Sequence, residues 1–550
     1  MCFEFVPGMK LLPHRWLLAG GRSRDHRLDG LSECTHGTSS LTAFLLIISV
    51  FPLPTPAGDW LQYRGPNHDG TSSEVIRTNW SDAPPRQVWK VPLAPALSSF
   101  TVSGGKVFTQ VHRVVNGQDR EVCIALNADT GQELWSTPLS IASYPNGGVG
   151  SDDGPRSTPS VDGNFVFVLS SYLNLACLAM ADGHVVWSNN LVTQYGSQII
   201  PWQNAASPLL EGGLIFLNCN APGNRLLAVH ETDGSEAWKG QDDPLTQASP
   251  IIATIAGVRQ IVFFAQSGLV SVAPLDGSVF WRYAMPFSVA TAASPVAAND
   301  FVYCSAAYGI GAGAVKVTNS AVKVSATQAW RTPGASMNHW ATPVHRNGYL
   351  YGIYGQEGST TSLRCVGLAS GIEQWRQGGS GSGSVLSVSG LILMMTEDGY
   401  LVLVNPNPTA YVEVARYRAL DGSSNSIPGL PVKCWNVPAI SNGRIYARST
   451  TEAVCLDVAS AATPAPLKLS GAVSESAVSF QLLIGTQDNS PLDTNRVAKV
   501  DVLANSDSGL SPASWLKLTN PLVLTNGQLL MEDPLSRTTQ QRLYRTTEHP

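Results

Sequence analysis

Charge is what this 550-residue chain has least of. Asp, Glu, Lys and Arg make up only 14% of it, and 35 basic against 40 acidic residues leave a formal net charge of -5. No basic run and no interleaving of basic with aromatic residues occurs, so the electrostatic footprint of a nucleic-acid-binding protein is missing. The nine cysteines include no CxxC pair and no two adjacent residues, which speaks against a zinc site, a redox pair or a regular disulfide framework. Cys123, Cys177, Cys219, Cys304, Cys365, Cys434 and Cys455 sit mostly inside apolar strand-like runs, where Cys acts as a small buried hydrophobe. No metal site is expected. The apolar run Leu41–Phe51 (LTAFLLIISVF) has 11 residues, against the about 20 a membrane-spanning helix needs.

That short run, followed by PLPTPA and then Gly58, has the h-region and small-residue cut of a secretory signal, with cleavage expected after Ala57. Residues 1–40 resemble no signal n-region and are read as a mis-assigned start or a disordered extension. Secretion or a periplasmic location follows as the expectation.

Fifty glycines and 36 prolines point to a turn-rich all-β protein. Their placement is periodic, and periods of this length mark repeat architectures. One unit ends in Trp: ALNADTGQELW from Ala125 to Trp135, CLAMADGHVVW to Trp187, AVHETDGSEAW to Trp238, SVAPLDGSVFW to Trp281 and CVGLASGIEQW to Trp375. The seventh place is Gly131, Gly183, Gly234, Gly277 and Gly371 in turn; a further copy ending at Trp330 has Ala326 there, and a degenerate one ends near Tyr417. Gly supplies the positive φ of a tight hairpin turn, and Trp on the returning strand is placed to cover a neighbouring repeat. A second unit, small residue–Pro–apolar strand–Gly–apolar strand, begins at Ser98, Ser157, Ala206, Ala248, Ala293, Ala341, Gly383 and Val437. Together the two units supply four short strands per repeat, the content of a propeller blade.

The eighth start has no Trp-ended strand after it. The strand around Trp89 (QVWKVPL), 46 residues before Trp135, can fill that gap. The fold expected is therefore an all-β, eight-bladed β-propeller of four-stranded blades over 58–462, its ring closed by an N-terminal strand so that no sheet edge stays open. The extension and signal occupy 1–57. After the Pro/Ala-rich link near 464, alternating runs such as VSFQLLI and RVAKVDVL predict a small C-terminal β-sandwich over 463–550.

The Ala-x-Asn-x-x-Thr-Gly-x-x-x-Trp pattern of Ala125 to Trp135, degraded in the other copies, resembles the Trp-docking motif of the pyrroloquinoline-quinone (PQQ)-like propeller superfamily. The opening DWLQYRGPN at Asp59 is similar to the start of secreted bacterial members of that group. The superfamily includes quinoprotein alcohol and glucose dehydrogenases and a scaffold lipoprotein of outer-membrane assembly. The resemblance implies the fold, and PQQ with Ca²⁺ as the cofactors a dehydrogenase would hold between a Trp floor and, in the alcohol enzymes, a vicinal disulfide. This chain has no Cys-Cys pair. Its candidates for Ca²⁺, which wants several oxygen ligands including carboxylates, are few: Asp152, Asp153, Asn204 and Asn338.

If the first strand of each blade is innermost, the residues just before it cluster at one mouth of the central channel. They include Asp152, Asp153, Arg156, Trp202, Gln203, Asn204, Gln247, Asn338, His339, Trp340, Trp435 and Asn436. Aromatic and hydrogen-bonding groups converging on a concavity suit a ligand, although the same groups can simply plug a channel and satisfy strand ends. His339 could act as a general base there, or only be hydrogen-bonded. The reading adopted is a monomeric, non-catalytic binding or scaffold propeller for a protein, peptide or polymer, with no cofactor. The alternative is a PQQ- and Ca²⁺-dependent dehydrogenase oxidising alcohols or sugars.

Overall fold

The computed structural model describes residues 58–144, 154–334, 337–356, 361–423 and 432–460. In the C-terminal stretch it describes 467–473, 480–486, 492, 494–497, 499–505, 515–534 and 543–548. The signal-like run, the cut after Ala57, the link near 464 and the pair Asp152/Asp153 lie outside these residues. Among the described residues, helix is confined to Leu191–Tyr195 and Thr494–Val497, and no helix is long and apolar enough to cross a membrane.

The rest is β-structure, in the four-stranded antiparallel sheets of a β-propeller. Between Arg86 and Asp457 the described residues form eight such sheets. Sheet 1 runs Thr101–Ser103, Lys106–Val115, Gln118–Asn127, Glu133–Ile141, each strand pairing with the next. Sheets 2 to 7 repeat this meander, with first strands Ser160–Asp162, Leu209–Glu211, Ile251–Ile255, Val296–Ala298, Val344–Arg346 and Ser384–Val388. Sheet 8 is built differently: Ala439–Ser441, Arg444–Arg448 and Glu452–Asp457 receive Arg86–Pro92 as the fourth strand, with Trp89 opposite Cys455.

Two local devices make the repeat. The first hairpin of most sheets turns through two residues of positive φ, as at Gly104–Gly105 and Asn442–Gly443, the turn whose twist matches the flanking strands. The second device is the docked tryptophan. Trp135 lays its ring on Gly183 of sheet 2 and donates from Nε1 to Met180 O at 3.1 Å; a Cβ on Gly183 would stand 2.5 Å from the indole. Trp187 treats Gly234 and Glu231 O (2.9 Å) the same way, as do Trp238 with Gly277 and Pro274 O (2.9 Å) and Trp330 with Gly371 and Leu368 O (2.8 Å). Trp89 docks on Gly131 and Ala128 O (2.9 Å), tying sheet 8 to sheet 1. Burying an indole removes on the order of 200 Å² from water, at most about 5 kcal/mol each.

Trp281 breaks the pattern. Its Nε1 meets Gln260 Oε1 of its own sheet at 2.7 Å. Sheet 5 has Ala326 where the glycine would be, and its last two strands are lengthened to Gly311–Asn319 and Val324–Thr332, which moves the turn away. Trp375 keeps the bond, to Asn407 O at 2.8 Å, without a glycine beneath it.

Apolar clusters join each sheet to the next, and the largest joins sheets 7, 8 and 1 through Leu401, Ile445, Cys455, Ile124 and Val107. All seven cysteines named above are buried and unpaired. Further along, Leu467–Val473, Phe480–Thr486, Gln528–Asp533 and Val523–Thr525 form one sheet. Leu516–Lys517, Val500–Asn505 and Leu543–Glu548 form another. The two share a core of Leu482, Ile484, Val502, Leu529 and Met531.

Candidate ligand cavity

The small-residue–Pro signature owes its Ser or Thr to a hydrogen-bonded belt. Ser99 N donates to Thr158 Oγ1, Thr158 N to Ser207 Oγ and Ser207 N to Ser249 Oγ, each at 2.9 Å and each crossing to the next sheet. Ser294 N meets Thr342 Oγ1 in the same way at 2.9 Å, and Val437 N meets Ser99 Oγ at 3.0 Å, linking sheet 8 to sheet 1. A buried strand-start amide left unpaired would cost about 1–3 kcal/mol, so a hydroxyl at this register has a backbone duty. Ser99, Ser207, Ser249 and Ser384 also line a cavity of about 220 Å³ at this end of the sheets.

The opposite end is crossed by the chain's own opening segment, which runs from one first strand to another. Trp60 pairs with Val102 of sheet 1 (2.9 Å in both directions) and Leu61 O accepts from Val161 N of sheet 2 at 2.8 Å. Gln62 exchanges bonds with Leu210 of sheet 3 at 2.8 and 3.2 Å. Arg64, 2% exposed, donates to Thr342 O and Pro343 O beside sheet 6, both at 2.8 Å. Gly70 and Ser72 bond Ser387 of sheet 7, and the Glu74 carboxylate accepts from Asn442 N and Gly443 N of sheet 8 at 2.8 and 2.7 Å. Tyr63, carried between these anchors, lines the cavity. Residues 60–74 thus cross the sheets at the end away from the hydroxyl belt, and Tyr63 brings this segment into the cavity lining.

The cavity wall carries a continuous row of rings. Tyr308 meets His339 edge-on (5.2 Å between centroids), His339 tilts over Trp340 (4.4 Å), and Trp340 stacks on Trp435 (4.4 Å, 29°). The Lys433 ammonium caps the row 4.6 Å from the Trp435 ring, and Trp435 Nε1 donates to Glu397 Oε1 at 2.9 Å. Burial alone holds the His339 imidazole down to about 4, so it is neutral near pH 7. Trp202 stands apart. It lines the cavity, no ring or cation among the described residues packs on it, and it and Gln203 both hold left-handed φ (59° and 50°). Such strain in bulky residues persists only where surrounding structure imposes it. Asn204 does so here, its side chain bonded to Ser170 O and to both N and O of Ala206.

Behind the lining, and among the described residues, four buried polar atoms have no partner: Gln247 Oε1, Asn436 Oδ1, Trp340 Nε1 and His339 Nδ1. The amide orientations are set by bonds, because Gln247 Nε2 donates to Pro201 O (3.0 Å) and Asn436 Nδ2 to Ser98 O (2.9 Å). Two acceptors are left unmet.

Arg156, Trp202, His339, Trp340, Trp435 and Asn436 thus meet around one cavity. Asn204 and Asn338 do not line it. Asn338 is fully buried, accepting from Tyr303 OH at 2.6 Å and donating to Ile353 O at 2.7 Å, and it holds the segment that presents His339 and Trp340. Arg156 Nη1 reaches Trp202 O at 3.4 Å. Asp153 lies outside the described residues. Tyr63 and Tyr308 are lining residues that the repeat pattern did not single out. Tyr308 sits at positive φ in a turn after a second strand, and Tyr63 lies in the DWLQYRGPN opening, noted only for its family likeness.

Four-stranded repeats stapled by Trp-on-Gly docking, around a central cavity, define a PQQ-like repeat propeller. The comparisons agree: residues 118–377 match the family described as outer membrane protein assembly factor BamB. That match makes residues 118–377 similar to the PQQ-like repeats of this family. No curated relative matches the sequence. Among solved structures, BamB from Moraxella catarrhalis is 12% identical, covering 68% of this chain and 97% of its own, with a TM-score of 0.46. The quinohemoprotein alcohol dehydrogenase of Comamonas testosteroni is 12% identical (77% and 83% covered, TM-score 0.45). The ADHIIG enzyme of Pseudomonas putida HK5 is also 12% identical (76% and 84%, TM-score 0.49).

PQQ and Ca²⁺ are the groups such a fold brings to mind, and the donor set can be tested against them. The described lining residues offer amides, hydroxyls, an imidazole, indoles and one guanidinium, but no carboxylate. A hard divalent cation takes six to eight oxygens, carboxylates prominent among them. The described lining does not fit Ca²⁺.

Proposed function

We propose that this protein is an extracytoplasmic, non-catalytic binding propeller. Its eight blades over 58–462 close into a ring through the strand Arg86–Pro92, a small β-sandwich follows over 463–550, and its axial cavity receives the end of a protein, peptide or polymer ligand. The Trp89–Gly131 dock, the Val437–Ser99 bond and the cluster shared by sheets 7, 8 and 1 support the closed ring. The secretory-type run Leu41–Phe51 and the matched family's description as an outer-membrane assembly factor support the location.

The observation carrying the binding role is the cavity's lining: about 220 Å³ walled by Trp202, the stacked Trp340 and Trp435, His339 and the Arg156 guanidinium, with Tyr63 of the opening segment among them. A catalytic reading needs a proton acceptor with its own orienting partner. His339, the titratable base of the lining, is desolvated and packed against rings on both sides. Calorimetric titration of the mature protein with PQQ, with and without Ca²⁺, tests this. The expected result is no Ca²⁺-dependent binding; micromolar, Ca²⁺-dependent binding would replace the proposal with a quinoprotein dehydrogenase acting on alcohols or sugars.

A further inference from the structure

We infer that the cavity ligand is a monocarboxylate on a compact apolar body, either a free acid or the C-terminal residue of a peptide, with its carboxylate at the Arg156 guanidinium. This rests on the binding role proposed above and names the chemistry of its ligand.

Charge decides the head group. Among the described lining residues Arg156 carries the one charge, because no Asp, Glu or Lys lines the cavity and burial keeps the His339 imidazole neutral near pH 7. Lys433 and Glu397, which meet Trp435 at its ring and at its Nε1, are outside the lining and of opposite sign. Glu121, a buried carboxylate next to Tyr144, takes its bonds from Tyr144 OH (2.8 Å), Ser140 Oγ (3.1 Å) and Ser171 N (2.9 Å). Arg156 is half-buried, and its bond to Trp202 O, at 3.4 Å, is long for an N–H donor. A guanidinium's fork of N–H groups matches a carboxylate, and partial burial strengthens the attraction. The hydroxyls add to the same preference. Ser99, Ser207 and Ser249 line the cavity and each accepts a backbone N–H at 2.9 to 3.0 Å, while no described group accepts their own protons. A lining with donors to spare suits a ligand that brings acceptors. One guanidinium matches one negative charge, whereas a phosphate monoester brings about two and PQQ brings several carboxylates.

Register decides the body. Two places before the hydroxyl belt stand Arg156 (before Thr158), Ala205 (before Ser207), Ala292 (before Ser294), Trp340 (before Thr342) and Trp435 (before Val437), and all five line the cavity. Equivalent places in successive sheets lie at one level, so the guanidinium shares its tier with two indoles and two methyl groups. A group bonded at Arg156 therefore has apolar wall beside it, and the two alanines leave room there. A ligand charged throughout would strip water from this wall without gain, whereas an apolar body gains from the burial. The cavity's 220 Å³ is below the about 300 Å³ at which drug-sized sites begin, so the ligand is small or only its end enters. An acid of one apolar group satisfies charge, wall and volume together, and so does the last residue of a peptide.

The test is calorimetry and intrinsic tryptophan fluorescence at pH 7 on the mature full chain. The probes are phenylacetate, indoleacetate and isocaproate, each beside its neutral amide, the peptide Ala-Ala-Phe with a free and an amidated C-terminus, phenyl phosphate, and PQQ with and without Ca²⁺. At least one acid or free-ended peptide should bind, and its amide should be weaker by about tenfold or more. Added salt should weaken the acid and leave the amide unchanged. Arg156→Gln should remove the acid's advantage without changing the amide, and Arg156→Lys should keep part of it. Ala292→Leu, by filling the tier, should weaken acid and amide alike, with unchanged thermal midpoints showing that each variant is folded. Tighter binding of the small acids identifies a free metabolite as the source; tighter binding of the free-ended peptide identifies a C-terminus. If amides bind as well as acids, or if the acid's advantage survives Arg156→Gln, the monocarboxylate assignment is overturned and the binding role stands. The same holds if phenyl phosphate, or PQQ without Ca²⁺, binds and no monocarboxylate does. Ca²⁺-dependent binding of PQQ, or no binding by any probe, overturns both.

Discussion

Gly183 is where the stapling of one sheet to the next can be weighed. It holds φ +76°, accepts a 2.6 Å bond from Thr137 Oγ1 at its carbonyl, and lies under Trp135. An added Cβ would stand 2.5 and 2.6 Å from Cε3 and Cδ2 of that indole and 2.8 Å from Thr137 Oγ1. Gly183→Ala therefore meets two penalties, about 1–2 kcal/mol for a left-handed alanine and about 1–3 kcal/mol for overpacking, together about 2–5 kcal/mol. Gly163 provides the control, since it has φ +53° and open space where its Cβ would go. Gly163→Ala should cost only the conformational part, about 1–2 kcal/mol. Trp135→Ala should itself cost about 3–5 kcal/mol, and in that background the Gly183→Ala penalty should shrink toward the Gly163 value, with only the Thr137 Oγ1 contact left, a coupling of about 1–3 kcal/mol. Guanidinium denaturation of the wild type, the three single variants and the double variant, read by far-UV dichroism, measures this. Equal losses at Gly183 and Gly163, or no coupling to Trp135, would refute the docking account.

Two buried imidazoles predict acid sensitivity. His68 and His339 are both held down to about 4 by burial, against about 6.5 in an unfolded chain, so between those values the unfolded state binds more protons. Stability should be full above about pH 6.5 and fall as pH drops toward 4, by about 3 kcal/mol for His68 alone, and His68→Gln should flatten the midpoint-versus-pH curve. Glu231 gives the opposite slope: burial and the neighbouring Asp162 push it up to about 8, so the fold loses stability as pH rises through that value, and Glu231→Gln should abolish the loss. Arg448 is a fully buried guanidinium that donates to Ala94 O, Thr109 Oγ1, Gln110 O and Ser449 O, with burial lowering it to about 9. Arg448→Met should cost at least about 2 kcal/mol by stranding these acceptors between sheets 8 and 1, and an unchanged denaturation midpoint would contradict that role.

Much of the architecture is legible in the sequence because the repeat has stereochemical causes. Glycine at the seventh place and tryptophan at its end announce a turn of positive φ and a flat side chain with somewhere to lie. The serine of the small-residue–Pro starts was visible too, but only as smallness; its hydrogen bond to the preceding sheet needs the neighbour in place. The site reads less well for the same reason. Trp202, His339 and Trp340 could be gathered by register alone, since each precedes a first strand. Whether a side chain faces the axis or turns back to the backbone is a matter of rotamer and neighbours, and Asn204 and Asn338 turn back. Tyr63 follows no repeat at all. It belongs to a segment whose path is set by bonds to sheets 1, 2, 3, 6, 7 and 8, none of which local pattern can foretell.

That segment also orders events in time. Trp60 to Glu74 and the strand Arg86–Pro92 are synthesised ahead of every sheet they touch, and Arg86 must wait for Asp457, 371 residues later, before it has a partner. Until then the nascent protein carries an unpaired strand and an incomplete last sheet, a state exposed to aggregation and to proteases. Contacts this distant in sequence make for slow folding. Once Arg86–Pro92 has paired with Glu452–Asp457, pulling the two apart requires giving up the last sheet and the Trp89 dock together. A single cut in an outer loop leaves that clasp shut, so the finished protein should persist by the height of its unfolding barrier, whatever its equilibrium stability.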